Sequence, residues 1–272
     1  MKQAMWKRVV GKVLTGFLAV VFLAPLVWVI VSSFSPQPGS AQKEGWGVGN
    51  YLSLFGYQDG LWVYLGNSLV ITVVTVVFSV VVCTLAGYSF SRFRYPGRNF
   101  SFMVTLSILM VPYASLLLPM MVWFKDLGLN NSLFGSGLVI ALFQLPMSTF
   151  IMRIAFDGVP KSMEEAAMVD GANSFQALMK ILVPAVKPSM ITVGLLAFLE
   201  AWNNFMIPLY LLGSDKAPLP LALVNMRQQT MGVIDYGATE AGVVILLIPA
   251  AILFLLLQKY YVRGFMAGAV KG

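Results

Sequence analysis

The sequence predicts an all-α integral membrane protein with six transmembrane helices and a cytoplasmic loop long enough to fold in water. Three observations carry this. The 272 residues are 58% hydrophobic and only 11% charged, outside the range of ordinary soluble domains. Apolar runs recur at about 13–34, 62–90, 100–123, 134–155, 189–212 and 239–258, each near the ~20 residues needed to cross hydrocarbon. Between the fourth and fifth runs, at 156–188, lies the longest polar stretch of the chain.

The first run follows Lys2, Lys7, Arg8 and Lys12, as a secretory signal would. It is longer than a signal core and lacks a small-residue cleavage site, so an uncleaved first helix is expected. The whole chain reads as a single transmembrane domain, 1–272, ending in a cytoplasmic tail at 259–272.

Basic residues orient the six runs, because they stay preferentially on the cytoplasmic side. With both termini inside, the inner segments hold the four N-terminal charges and Arg92, Arg94 and Arg98. They also hold Arg153, Lys161, Lys180 and Lys187, and finally Lys259, Arg263 and Lys271. The outer loops hold only Lys43, Lys125, Lys216 and Arg227, so fourteen stand against four. The net charge of +7 follows this membrane rule and predicts no nucleic-acid partner.

Several chemistries are excluded early. There is no histidine and a single cysteine, Cys83, inside an apolar run, so no disulfide framework can form and neither a metal site nor cysteine chemistry is expected. No Gly-x-x-x-x-Gly-Lys-Ser/Thr loop is present to cradle nucleotide phosphates. Proline enters five of the six runs, at Pro25, Pro112 and Pro119, Pro146, Pro208 and Pro249. Each removes a backbone bond, which suits either a moving gate or static kinked packing.

The polar stretch parses as two short helices. Ser162 and Glu165 predict a capping box at the first, and Gly171 fits its left-handed end. Asn173 and Gln176 repeat the start signal, and Phe175, Leu178, Met179 and Leu182 then share one face until Pro184 stops the helix. On the first helix Met163, Ala166, Ala167 and Asp170 share a face whose alanines allow close approach. Glu164 and Glu165 are expected to be anchors for a partner's arginine. Spacing alone leaves two readings open, a docking helix for a groove and an amphipathic segment lying on lipid.

At these residues the chain resembles the permease subunits of ATP-binding-cassette importers. Glu165-Ala166-Ala167, Gly171, Ile181 and Pro184 match the family's signature loop, with Asp170, Gly171 and Ala172 as its commonest filling and Val183 where leucine is usual. The resemblance implies that this loop is a coupling helix seated in a cleft of an ATPase subunit, with Ser162, Glu164, Glu165, Ala166, Ala167, Asp170 and Gly171 as the coupling residues. It implies no cofactor in this chain, with ATP and Mg bound by two ATP-binding-cassette ATPase subunits. A second permease subunit, an extracytoplasmic solute-binding protein and membrane lipid complete the expected partners, in a prokaryotic plasma membrane.

The fifth run carries Glu200, Trp202, Asn203 and Asn204, with Glu200 read as the one carboxylate inside a span. Ionisable groups there are expensive and usually face an interior or a water-filled path. An indole beside amides is also how proteins hold sugars, while a polar contact to a partner subunit explains the cluster equally well. The Ala201-Trp-Asn-Asn-Phe205 run resembles a fifth-helix pattern of carbohydrate-importer permeases. The closing Gly268, Ala269, Val270, Lys271 and Gly272 resemble the tail of maltose-type permeases, where it reaches into the ATPase dimer. Together with Arg92-Phe-Arg-Tyr-Pro-Gly97, the likeness covers nearly the whole chain and points to the smaller six-helix subunit of such systems. A permease for another solute is the alternative within transport. An integral membrane enzyme is the alternative outside it, but no convergent acid, base or metal groups support one.

Overall fold

The computed structural model describes residues 2–37, 39–229 and 234–269, with side chains described for 10–37, 39–227 and 234–258. Every regular element among the described residues is helical. The chain forms two compact units, Met1–Trp62 with Ala222–Ile248, and Val63–Leu221 with Pro249–Gly272.

The first unit contains α1 (Lys2–Ser33), α2 (Gly49–Phe55), most of α11 (Leu219–Gln229) and the start of α12 (Tyr236–Ala269). Its loop is knitted by Asn50, which is fully buried and donates to the Ser33 and Ser35 carbonyls at 3.0 and 3.1 Å while accepting from the Gln42 amide. Tyr51 meets the Ser33 hydroxyl at 2.8 Å. The Asn50 ties satisfy carbonyls at and just beyond the end of α1 that have no partner within the helix.

The second unit runs from α3 (Leu61–Arg92) through α4 (Arg98–Ser107), α5 (Tyr113–Asp126) and α6 (Leu133–Asp157). The polar stretch follows as α7 (Lys161–Val169) and α8 (Ser174–Ala177), then α9 (Val183–Asn203) and α10 (Met206–Leu211). Two apolar clusters hold it together. One gathers Cys83, Tyr88, Met152, Phe156, Leu182 and Val186 near the polar stretch. The other gathers Ile71, Phe124, Ile140, Ala201 and Ile207 toward the opposite ends of α3 and α6.

Among the described residues, five helices are long and apolar enough to cross a bilayer. A sixth crossing counts only as a bent pair, Arg98–Met110 with Tyr113–Asp126, folded by 106°. The third run is therefore not the single helix expected over 100–123. Val111 precedes Pro112, and the clash with the proline ring holds it extended at φ −81° and ψ 127°, which ends the first limb.

The fifth run departs in both directions. Its helix begins at Ser174, well before 189, and stops at Asn203, short of 212. Pro184 does not end it. A π-helical turn at Leu178–Leu182 precedes the proline, which falls in the first turn of α9, where its missing N–H costs least.

Candidate functional site

The polar stretch supplies the first part of the site. Gly171 sits at φ +88°, the left-handed conformation expected after the first helix, and Asp170 and Gly171 donate back to the Ala166 and Met168 carbonyls. The second helix starts with the predicted capping box. Gln176 N donates to Asn173 Oδ1 at 2.8 Å, and Asn173 N to Gln176 Oε1 at 3.0 Å.

The box predicted at Ser162 and Glu165 is not formed. Pro160, at φ −57° and ψ 132°, starts α7 two residues early, so Ser162 lies inside the first turn and makes no cap. Ser162 and Glu165 are exposed instead.

Glu164 is the larger correction. It is buried, 9% exposed, and turned into its own chain rather than toward a partner. Tyr88 donates its hydroxyl to Glu164 Oε1 at 2.7 Å, and Arg92 Nε lies 3.2 Å from Oε2. Arg92 Nη2 also donates to the Val159 carbonyl at 2.8 Å, and Ser91 Oγ to Asp157 Oδ1 at 2.6 Å. A buried charge must be paired and hydrogen-bonded to be tolerated, and this cluster satisfies Glu164 internally.

Ala167 is buried with it, at 6% exposure, because positions 164 and 167 share a helix face. Every other residue of α7 is exposed, Lys161, Ser162, Met163, Glu165, Ala166, Met168 and Val169, with Val169 at 87%, and so is Asp170 at its end. On the following helix Leu178 and Leu182 are buried while Phe175 and Met179 point outward, so those four do not share one environment.

The second part of the site is the break after Asn203. Asn204 leaves the helix at φ −75° and ψ 124°, and its Oδ1 accepts the Ile207 amide at 3.0 Å, opening α10. Its Nδ2 reaches Glu200 Oε1 at 3.2 Å and the Tyr113 hydroxyl at 3.3 Å. Around this break lies a cavity of about 330 Å³ lined by Tyr113, Leu199, Glu200 and the run from Asn203 to Met206. Three of the four predicted path residues are thus brought together.

The fourth is not. Trp202 is 4% exposed, stacks on Phe198 with ring centroids 5.5 Å apart, and does not line the cavity. It follows Glu200 by two positions, which on a helix points it away. Sequence reasoning also passed over Glu240, a second carboxylate within an apolar helix, whose Oε2 is buried without a hydrogen-bond partner among the described residues. Tyr113 carried no signal in the sequence. Tyr88 and Arg92 did, since their four-residue spacing sets both on one helix face. Of the predicted tail, Val270, Lys271 and Gly272 lie outside the described residues, and Gly268 and Ala269 are placed only as the end of α12.

Membrane-length helices, a short helix fastened to the end of one of them and a cavity at a helix break suit a transport subunit, and the family of the chain makes it one. The chain belongs to the binding-protein-dependent transport system inner membrane component family, which its residues 80–266 match. An arabinooligosaccharides transport system permease protein of Halalkalibacterium halodurans is 31% identical to it, over 98% of this chain and 96% of the relative. A trehalose/maltose transport system permease protein of Thermococcus litoralis is 31% identical over the full length of both. In fold, the chain is similar to one from a bacterial ABC transporter involved in the import of the acidic polysaccharide alginate. The TM-score is 0.79 at 24% identity, covering 96% of this chain and 98% of that one.

Proposed function

We infer that this chain forms half of the membrane path of an importer for a sugar or oligosaccharide, with a second permease subunit forming the other half. Both termini and the segment around α7 face the cytoplasm, where two ATPase subunits bind ATP and Mg and seat α7 in a surface cleft. An external binding protein delivers the solute. ATP binding draws the ATPase subunits together, α7 moves with them, and the path opens outward; hydrolysis returns it.

The observation that carries this reading is the two-sidedness of α7. Glu164 and Ala167 fix it to the chain, while the rest of the helix, Ser162, Met163, Glu165, Ala166 and Val169 among it, is left exposed as a face mixing apolar and charged groups. A segment merely resting on lipid turns its apolar face to the acyl chains and needs no internal ion pair. The tail residues Gly268 to Gly272 are a further proposed ATPase contact.

The sugar assignment draws on the relatives, and the cavity chemistry agrees with it. Glu200 and Asn203 offer a carboxylate and an amide beside the apolar Leu199 and Met206, a mixture suited to hydroxyls and C–H faces. The test is purification of the tagged chain from its own membrane, followed by reconstitution with its companions. A co-purifying ATPase and ATP-dependent uptake of an oligosaccharide are expected. A carrier that works without any nucleotide-hydrolysing companion would sink the reading.

A further inference from the structure

We propose that α3 is the rod that carries displacement of α7 to the opposite end of the second unit, and that the Tyr88–Arg92–Glu164 cluster is the joint that fastens it. The inference rests on the docking role given to α7 above. In the chain, α7 is directly continuous only with α6 and with the helix beginning at Ser174. α3 is separated from it by more than 60 residues, yet its last two turns are tied to the segment 157–164 by four polar contacts.

Those contacts follow one another along the chain. Ser91 holds Asp157, Arg92 holds Val159 and Glu164, and Tyr88 holds Glu164, at 2.6 to 3.2 Å. Tyr88 is 5% exposed, and the Arg92 and Glu164 side chains are 5% and 11% exposed. A charge pair buried this deeply cannot exchange its partners for water without a large penalty, so α7 cannot shift without drawing the end of α3 with it.

The other end of α3 is fastened too. Asn67 Nδ2 donates to the Ala217 carbonyl at 3.0 Å, and Ser68 Oγ accepts the Leu219 amide at 2.9 Å. Ala217, Leu219 and Ser68 are all nearly fully buried. That segment follows α10, and Asn131 clasps the turn between them, accepting the Gly213 amide at 2.9 Å while its carbonyl accepts Lys216 Nζ at 2.8 Å. Displacement of α3 therefore reaches the helix whose start lines the cavity.

Between its two ends α3 is built to be stiff. Each of the other crossings carries a proline, at Pro25, Pro112 with Pro119, Pro146, Pro184 with Pro188, and Pro249, each removing a backbone donor, and α3 contains none. Sharp kinks need such a residue or a break in the ladder. From Asn67 to Arg92 the helix rises about 38 Å, enough to bridge the bilayer core as one body.

The test compares two cuts in the whole reconstituted complex. Arg92→Met with Glu164→Gln unfastens the docking end without leaving a lone buried charge, and Asn67→Ala with Ser68→Ala unfastens the far end. Each is expected to lower solute uptake per ATP hydrolysed about tenfold, within the usual range of coupling between distant sites. A merely structural role would lower complex yield, uptake and hydrolysis together and leave the ratio unchanged, and an unchanged ratio in either variant overturns the proposal. Should the charge-pair variant not assemble, Tyr88→Phe deletes only one hydroxyl, and an unchanged ratio there overturns it equally. Failure of the docking role is read separately: a Glu165→Lys chain that still retains its ATPase removes the premise, whatever the ratio.

Discussion

Glu164 and Glu165 are neighbours in the chain and opposites in environment, the first buried against Tyr88 and Arg92, the second in solvent. Their substitutions should therefore separate stability from docking. Glu164→Ala leaves the Arg92 guanidinium buried and unpaired, which costs about 3–5 kcal/mol. Glu165→Ala breaks no hydrogen bond or ion pair among the described residues and should stay within about 0.5 kcal/mol of the parent. Thermal unfolding of the detergent-solubilised chain checks both, and only Glu165→Ala should weaken ATPase retention while leaving the melting point in place.

The sequence made the polar stretch legible in outline because its signals are local. Gly171 needs only its own dihedral, and Asn173 with Gln176 needs only three residues of helix. What it could not show is which of two adjacent glutamates turns inward, since that is decided by Tyr88 and Arg92, 76 and 72 positions upstream of Glu164. The same limit explains the fifth run. Hydropathy marks where a helix can cross, but Asn204 ends α9 through side-chain contacts to Tyr113 and Ile207, and these do not register in apolar content.

At Gly171 the cost of a side chain is backbone strain alone, because a Cβ there would meet nothing within 4 Å. Gly171→Ala should lose about 1–2 kcal/mol from holding an L-residue in the left-handed region. Gly171→Asn should lose less, since asparagine tolerates that conformation. Comparing the melting points of the two variants decides it, and equal losses would show that the segment relaxes to another turn.

The helix break predicts a division of labour between Trp202 and its neighbours. Trp202→Ala empties a buried site against Phe198 and should cost about 3–5 kcal/mol, seen as lower yield with an unaltered half-saturating solute concentration for the surviving complex. Glu200→Gln and Asn203→Ala alter groups that line the cavity, so they should shift that concentration at near-normal yield. Concentration dependence of uptake in vesicles, normalised to assembled complex, distinguishes the two. The reverse pattern would place Trp202 on the path after all.

Close approach of α3 and α6 gives the last prediction. A Cβ on Gly87 would fall 2.5 Å from Met152 Cβ, 2.8 Å from its carbonyl carbon and 2.9 Å from Arg153 N. Backbone atoms cannot swing aside as a side chain can, so the two helices must separate to admit even a methyl group. Small residues at such crossings are what let membrane helices pack closely. Gly87→Ala should therefore destabilise by about 1–3 kcal/mol, as overpacking does. Trimming the partner with Met152→Ala should not rescue it, because the Cβ and the backbone remain in place. Restored stability in that double variant would show that the clash lies in the Met152 side chain beyond its Cβ, and that the helices are held apart by bulk and not by their backbones.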